Sequence, residues 1–327
     1  MPNQVEIFRK LTGRSRRRRH RRRSEPRQPV PPREWSLAGL LLLNVAWLTF
    51  ALGGVRLWGE TVALALSVGA LLLLPRWKTG EIPDLGVPVY RLLKSPLFWA
   101  GFGLYLYMYI QTWNLAWEWT LVPDGRPKLV SRDPPVSWLP SGFFSPLEEN
   151  NPARSLIFFS IPWLACSAAW AGLATRRANN LVLRGIAFLG TGFAFVALRQ
   201  HFLGKSKILG IFETVPGKQG AEIPFWGTLI NENHAAFYLI LINGLCFGLF
   251  LTGWHWDLRL FRKGGGAWLL TFGFSLLATF AVLMAQARGA ILFVVLQWVL
   301  FLVVCSVFFF RSFGPKAGLL PASIGVA

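Results

Sequence analysis

The sequence predicts an all-α, polytopic helical membrane protein with about eight transmembrane helices and the beginning of a ninth. Three observations lead there. The first is composition: 327 residues with 53% hydrophobic content and a mean hydropathy of +0.43 are too apolar for an ordinary soluble domain. The second is a series of windows near the ~20 apolar residues that cross a bilayer: positions 36–53, 57–74, 96–113, 156–173, 185–202, 235–251, 268–287 and 290–310, with 319–327 opening another. The third is the alternation of basic with non-basic loops between them.

Taken in order, residues 1–35 read as a basic, disordered cytoplasmic tail. Positions 9–33 hold twelve Lys or Arg, so the net charge of +19 is concentrated there rather than spread over the spans. Pro29, Pro31 and Pro32 separate the arginines from the first apolar window, which is not the layout of a cleaved signal. Such a tail suits anionic membrane lipids as its partner, and no nucleic acid is expected. Residues 36–327 form the transmembrane domain, with N-terminal spans over 36–175 and a second part over 183–310. Glu60 interrupts the second span and is expected at its interfacial end, where helix tilt brings it to water.

Lys and Arg near span ends are retained on the cytoplasmic side. The tail therefore places the N-terminus inside. Arg76, Lys78, Arg91 and Lys94 follow span two, Arg176, Arg177 and Arg184 follow span four, Arg259, Arg262 and Lys263 follow span six, and Arg311 and Lys316 follow span eight. The Pro-rich loop 117–151 and the loop 203–232 fall outside; Trp113, Trp117 and Trp119 read as an interfacial aromatic belt.

Cys166, Cys246 and Cys305 lie inside spans and read as packing residues. The four histidines, His20, His201, His234 and His255, make no metal set with them, so neither metal nor cofactor is expected.

Chemistry concentrates at Phe225-Trp226-Gly227-Thr228-Leu229-Ile230-Asn231-Glu232-Asn233-His234, directly before the apolar run 235–251. Polar side chains at the mouth of a membrane helix cost free energy unless water or a ligand receives them. Arg288 interrupts the last two apolar runs at a tight hairpin, and the loop threading puts Asn231, Asn233, His234 and Arg288 at the same outer depth. Plain alternatives exist for each. Asn231 or Asn233 could cap a helix starting near Ala235, His234 could pack at the interface, Arg288 could snorkel to headgroups, and Arg199 and Gln200 could be interface anchors. Trp226 is either belt or sugar platform.

The run Gly227 to Phe237, the Arg199-Gln200-His201 end of span five and Ala287-Arg288-Gly289-Ala290 together resemble the O-antigen ligase and polymerase superfamily, over roughly positions 183–310. The resemblance implies a metal-independent membrane glycosyltransferase. Its donor would be a glycan on undecaprenyl diphosphate, and its acceptor another glycan or lipid A core, at the periplasmic face of the bacterial inner membrane. It implies Arg288 as the group that holds the departing phosphates, with His234 orienting groups or shuttling a proton. Asn231, Asn233, Trp226, Arg199, Gln200 and Lys218 would contact substrate, Lys218 lying in the loop where the family carries an arginine. Family members continue into a periplasmic loop with a histidine and further spans, so the chain is expected to lack a C-terminal part. Two other classes fit a series of spans: a bicarbonate-like solute transporter, which would want broken helices and ionisable residues near the midplane, and an inactive, truncated membrane protein.

Overall fold

A computed structural model describes residues 30–51, 57–74, 86–121, 127–144, 152–203, 207–208, 212–213, 226–229, 231–257 and 267–313. The chain separates into two compact units, 1–32 and 33–327. Only residues 30–32 of the first are described, so the expected tail lies almost wholly outside the described residues, as do Lys218 and the start of a ninth span.

The described helices are α1 (Pro32–Phe50), α2 (Leu57–Leu72), α3 (Gly86–Leu93), α4 (Pro96–Trp113), α5 (Pro152–Gly172), α6 (Arg176–Leu203), α7 (Glu232–Asp257), α8 (Ala267–Met284) and α9 (Arg288–Phe313). Each expected span falls on a helix, and α3 is an additional short one. By length and apolar composition, however, four are long and apolar enough to cross a membrane: Pro152–Gly172, Arg176–Leu203, Glu232–Gly253 and Arg288–Val307. The expectation of eight is corrected to that extent. The other four depart for physical reasons. With 16 residues, α2 reaches about 24 Å against a hydrocarbon core of about 30 Å; the apolar stretch Trp268–Met284 of α8 is also short; α1 carries Arg33, Glu34 and Asn44; and α4 is rich in Trp and Tyr.

The tail boundary also moves. Residues 32–35 belong to α1, because Glu34 is buried as the acceptor for Thr175, whose backbone N–H reaches Glu34 Oε2 at 3.0 Å and whose hydroxyl donates at 2.6 Å. That carboxylate ties the start of α1 to the start of α6. Arg33 donates to the carbonyls of Leu73 and Leu74 at the end of α2.

Helix α1 joins two groups of helices. Its Leu37 packs where Gly172 of α5 leaves no room for a Cβ, and Leu42 does the same at Gly185 of α6. Asn44 donates to Ser67 Oγ of α2 at 2.6 Å, and Thr49 Oγ1 lies 3.1 Å from Tyr238 Oη of α7. On one side α2, α4 and α5 pack together; on the other α6, α7, α8 and α9 do. With no aqueous driving force between helices in lipid, close approach across small residues and polar cross-links supplies the cohesion. A triad of two buried residues and the half-buried Gln297 does so in the second group: Ser275 Oγ donates to Asn243 Oδ1 at 2.6 Å, Asn243 Nδ2 donates to Gln297 Oε1 at 3.0 Å, and Gln297 Nε2 donates to Ile240 O at 3.1 Å. It cross-links α7, α8 and α9 near the middle of each helix.

Two findings contradict the sequence expectation for the first half. Glu60 does not reach water. It is buried against Arg154, the first turn of α5, with Nη2 2.9 Å from Oε1 and Nε 3.0 and 3.3 Å from Oε1 and Oε2. The loop after α4 is not wholly irregular either. It forms β1 (Leu115–Leu121), β2 (Pro127–Ser131) and β3 (Gly142–Phe144) in the order β2-β1-β3, antiparallel to β2 and parallel to β3. The stretch Leu115-Ala116-Trp117-Glu118-Trp119-Thr120-Leu121 has the two-residue alternation of a strand. A further two-residue pair, β4 (Lys207–Ile208) with β5 (Phe212–Glu213), follows α6.

Candidate functional site

The end of α6, the starts of α7 and α9 and the end of α8 meet around one buried cluster. It is made of Phe193, Ala194, Ala197 and Leu198 of α6, Trp226, Ala235 and Ala236 before and within α7, and Ala281, Ala285, Ala287 and Ala290 at the α8–α9 junction, among others. The alanines let four helix ends approach closely, and that approach brings the polar motif residues and Arg288 to one end of the bundle.

The first half of the motif is structural. Trp226 and Leu229 exchange backbone hydrogen bonds of 2.9 and 3.2 Å, closing a two-residue turn. Gly227 takes φ +66° at its first central position, which suits glycine, and a Cβ there would also stand 2.7 Å from the Phe193 ring. Thr228, fully buried, donates its hydroxyl to Thr49 O at the end of α1. The turn is thereby held against α6 and α1.

The second half opens α7. This helix begins at Glu232, three residues earlier than expected, so Asn233 and His234 sit in its first turn. The cap is Asn231, whose Oδ1 accepts the Asn233 backbone N–H at 2.9 Å. Asn231, Glu232, Asn233 and His234 are all exposed, and Glu232 places a carboxylate at the positive end of the helix.

Arg288 is the first residue of α9 rather than part of the hairpin. The turn is 285–287, where Gln286 adopts φ 53°. The first helical bond runs from Ile291 N–H to Ala287 O at 3.0 Å. The N–H groups of Arg288, Gly289 and Ala290 precede it, and Ala287 has no side-chain oxygen to cap them. Arg288 is exposed, and no carboxylate among the described residues pairs with it. An uncapped helix N-terminus with a guanidinium on its first residue is an anion receptor in both dipole and charge. Gly289 sits against Phe237, and Phe237 meets Phe293 edge-on at 5.9 Å, which brings this receptor beside the first turns of α7.

At the end of α6, Arg199 and His201 are exposed, and the His201 ring lies 4.8 Å from that of Trp226. Both amide atoms of Gln200 and the indole Nε1 of Trp226 are buried without a hydrogen-bond partner among the described residues. Leaving such a group unpaired costs about 1–3 kcal/mol. Trp226 is therefore part of the core rather than an open platform. Lys218 lies outside the described residues, and no group of three or more His, Cys, Asp or Glu that could hold a metal ion is found among them.

The sequence reading missed Thr49 and Tyr238, the packing role of Thr228 in positioning the turn, and the Asn243–Ser275–Gln297 triad. The signal was available for the triad: single amides inside otherwise apolar runs are costly in lipid and mark inward-facing positions. Comparison with protein-family models, curated proteins and solved structures finds no match.

Proposed function

We propose that this chain is a membrane glycosyltransferase of the O-antigen ligase or polymerase type, moving a glycan from undecaprenyl diphosphate to an acceptor glycan or lipid A core. In this reading the four helices long and apolar enough to cross a membrane, α5, α6, α7 and α9, lie in the bacterial inner membrane, the N-terminus is cytoplasmic, and the site faces the periplasm. The alternation of basic loops supports that orientation.

One observation carries the chemical reading: Arg288 stands at the uncapped start of α9 with no carboxylate partner among the described residues, beside the first turns of α7. In transfer, an acceptor hydroxyl oxygen bonds to the anomeric carbon of the donor sugar as the bond from that carbon to the phosphate oxygen breaks. The diphosphate leaves with the bonding pair, and the hydroxyl proton must be removed. Arg288 and the α9 N–H groups meet the charge that develops on the leaving diphosphate. Asn233 and His234, both exposed, reach for sugar hydroxyls or the proton.

A transporter reading gains nothing from the helices described. α7 runs unbroken for 26 residues, and the buried polar groups at its centre are neutral and satisfy one another. The test is transfer by purified protein from a lipid-linked donor in the presence of chelator. Sustained transfer is expected, because the cationic receptor serves the role a divalent ion would otherwise fill. Loss in chelator with recovery on adding Mg²⁺ would overturn the mechanism, and absence of transfer under any condition would overturn the function.

A further inference from the structure

Helices α1 and α6 lie side by side and run parallel from a common end. Glu34 holds Thr175, the Leu42 side chain fills the space a Cβ would take at Gly185, and Phe50 lies against Gly192, so the contacts advance together along both helices. At 3.6 residues per turn, Arg177, Arg184, Phe188 and Phe195 of α6 form one ridge, set back from Gly185 by about 60–100° around the axis. On α1, Trp35, Gly39 and Leu43 stand ahead of Leu42 by about 20–100°. Parallel helices turn in the same sense, so the backward side of one and the forward side of the other border a single groove.

Both walls are open. Trp35, Leu43 and Phe188 keep 52%, 51% and 67% of their surface, and Arg177 and Arg184 are exposed. A Cβ at Gly39 would meet nothing within 4 Å, which leaves the floor empty of side chains. The side of α6 turned away from the groove is packed through Val182, Gly190, Phe193 and Ala197. Chemistry changes along the groove. Arg177 and Arg184 stand two turns apart, about 10 Å, near the common end of the helices. No carboxylate among the described residues pairs with either. Past Arg184 the walls are Leu43, Phe188 and Phe195, and α6 is one of the four helices long and apolar enough to cross a membrane.

We propose that this groove binds an anionic phospholipid, with its phosphate between Arg177 and Arg184 and its acyl chain over Gly39 and along Leu43 and Phe188. Two guanidinium forks without a carboxylate suit phosphate oxygens, and a basic pocket between membrane helices is where such headgroups bind. Trp35 beside the arginines is the residue type that sits at headgroup level. The occupant is a lipid rather than the chain's own tail, because positions 9–33 hold twelve Lys or Arg and carry the same sign as the groove. The proposal rests on α6 lying in the membrane and is independent of the transfer chemistry.

The test titrates the purified full chain in neutral detergent with phosphatidylglycerol or phosphatidylcholine of the same acyl chains, and counts bound lipid by native mass spectrometry. Wild type should hold phosphatidylglycerol about tenfold more tightly or better. Arg177→Gln/Arg184→Gln should abolish that preference. Arg91→Gln/Lys94→Gln removes the same charge at the end of α3 and should leave it intact. Gly39→Phe keeps both cations, fills the floor and should weaken retention. All five positions are exposed, so unfolding midpoints should stay near wild type. Equal binding of the two lipids, or a preference that survives Arg177→Gln/Arg184→Gln, would overturn the proposal. Equal loss in Arg91→Gln/Lys94→Gln would trace the effect to net charge, and full retention by Gly39→Phe would place the lipid elsewhere; either overturns it. Displacement of the lipid by an equal concentration of inorganic phosphate would show a free-anion site and overturn it as well.

Discussion

Arg154→Ala should be among the most damaging single substitutions in the first half of the chain. Glu60 is only 3% exposed in its side chain and Arg154 15%, and three short N–H to carboxylate contacts of 2.9–3.3 Å join them. Removing the guanidinium leaves a buried carboxylate without its ion partner, which typically costs 3–5 kcal/mol. At about 2 °C per kcal/mol for a protein of this size, the midpoint should fall by at least ~6 °C. The assay is thermal unfolding of purified protein in detergent, followed by loss of the monodisperse species. The double variant Glu60→Leu/Arg154→Leu removes both charges and should recover most of the loss, because the net worth of a buried pair is far smaller than the cost of breaking it. A shift below ~2 °C for Arg154→Ala, or a double variant no better than the single, would refute the account of Glu60 as a buried, paired carboxylate.

Asn231→Ala should lose about 1 kcal/mol of stability with the cap, whereas Asn231→Asp keeps the cap and sets a negative charge beside the anion receptor; unfolding midpoints near wild type with reduced transfer are expected for Asp. Asn243→Leu removes two hydrogen bonds of the central triad and should cost ~1–2 kcal/mol in unfolding measurements, with Ser275→Ala milder because it strands a single acceptor.

The positions of the helices were legible because eight apolar windows separated by basic or polar loops leave the chain few other folds. Their capacity to span was less so: Leu57–Leu72 looks like a span until its length is measured, and Glu60 looks like an interfacial charge until its partner, 94 residues away, is found. Long-range pairing of that kind leaves no local pattern. The sheet after α4 was readable in principle from the alternation in 115–121, but a tryptophan-rich stretch beside a span satisfies the aromatic-belt reading equally well. At the site, the sequence pointed to a helix start near Ala235 and a hairpin at Arg288, but it could not distinguish cap from contact. That distinction depends on where α7 begins, and it begins at Glu232 because Asn231 has the oxygen to receive its second N–H. Gly227 and Thr228 belong to the packing of the turn, which is visible only once Phe193 and Thr49 are beside them.

The central claim is that Arg288 holds a leaving diphosphate, and the measurement that tests it most directly is glycan transfer per membrane-inserted protein for wild type, Arg288→Lys and Arg288→Ala. Lysine keeps the charge but not the planar fork that meets two phosphate oxygens. Loss of such a charge-stabilising donor typically costs ~3 kcal/mol, so transfer should fall about a hundredfold in the Lys variant and at least as far in Ala, with insertion unchanged. A cation that merely snorkels to headgroups would be replaced freely by lysine. Wild-type transfer by Arg288→Lys would contradict the claim.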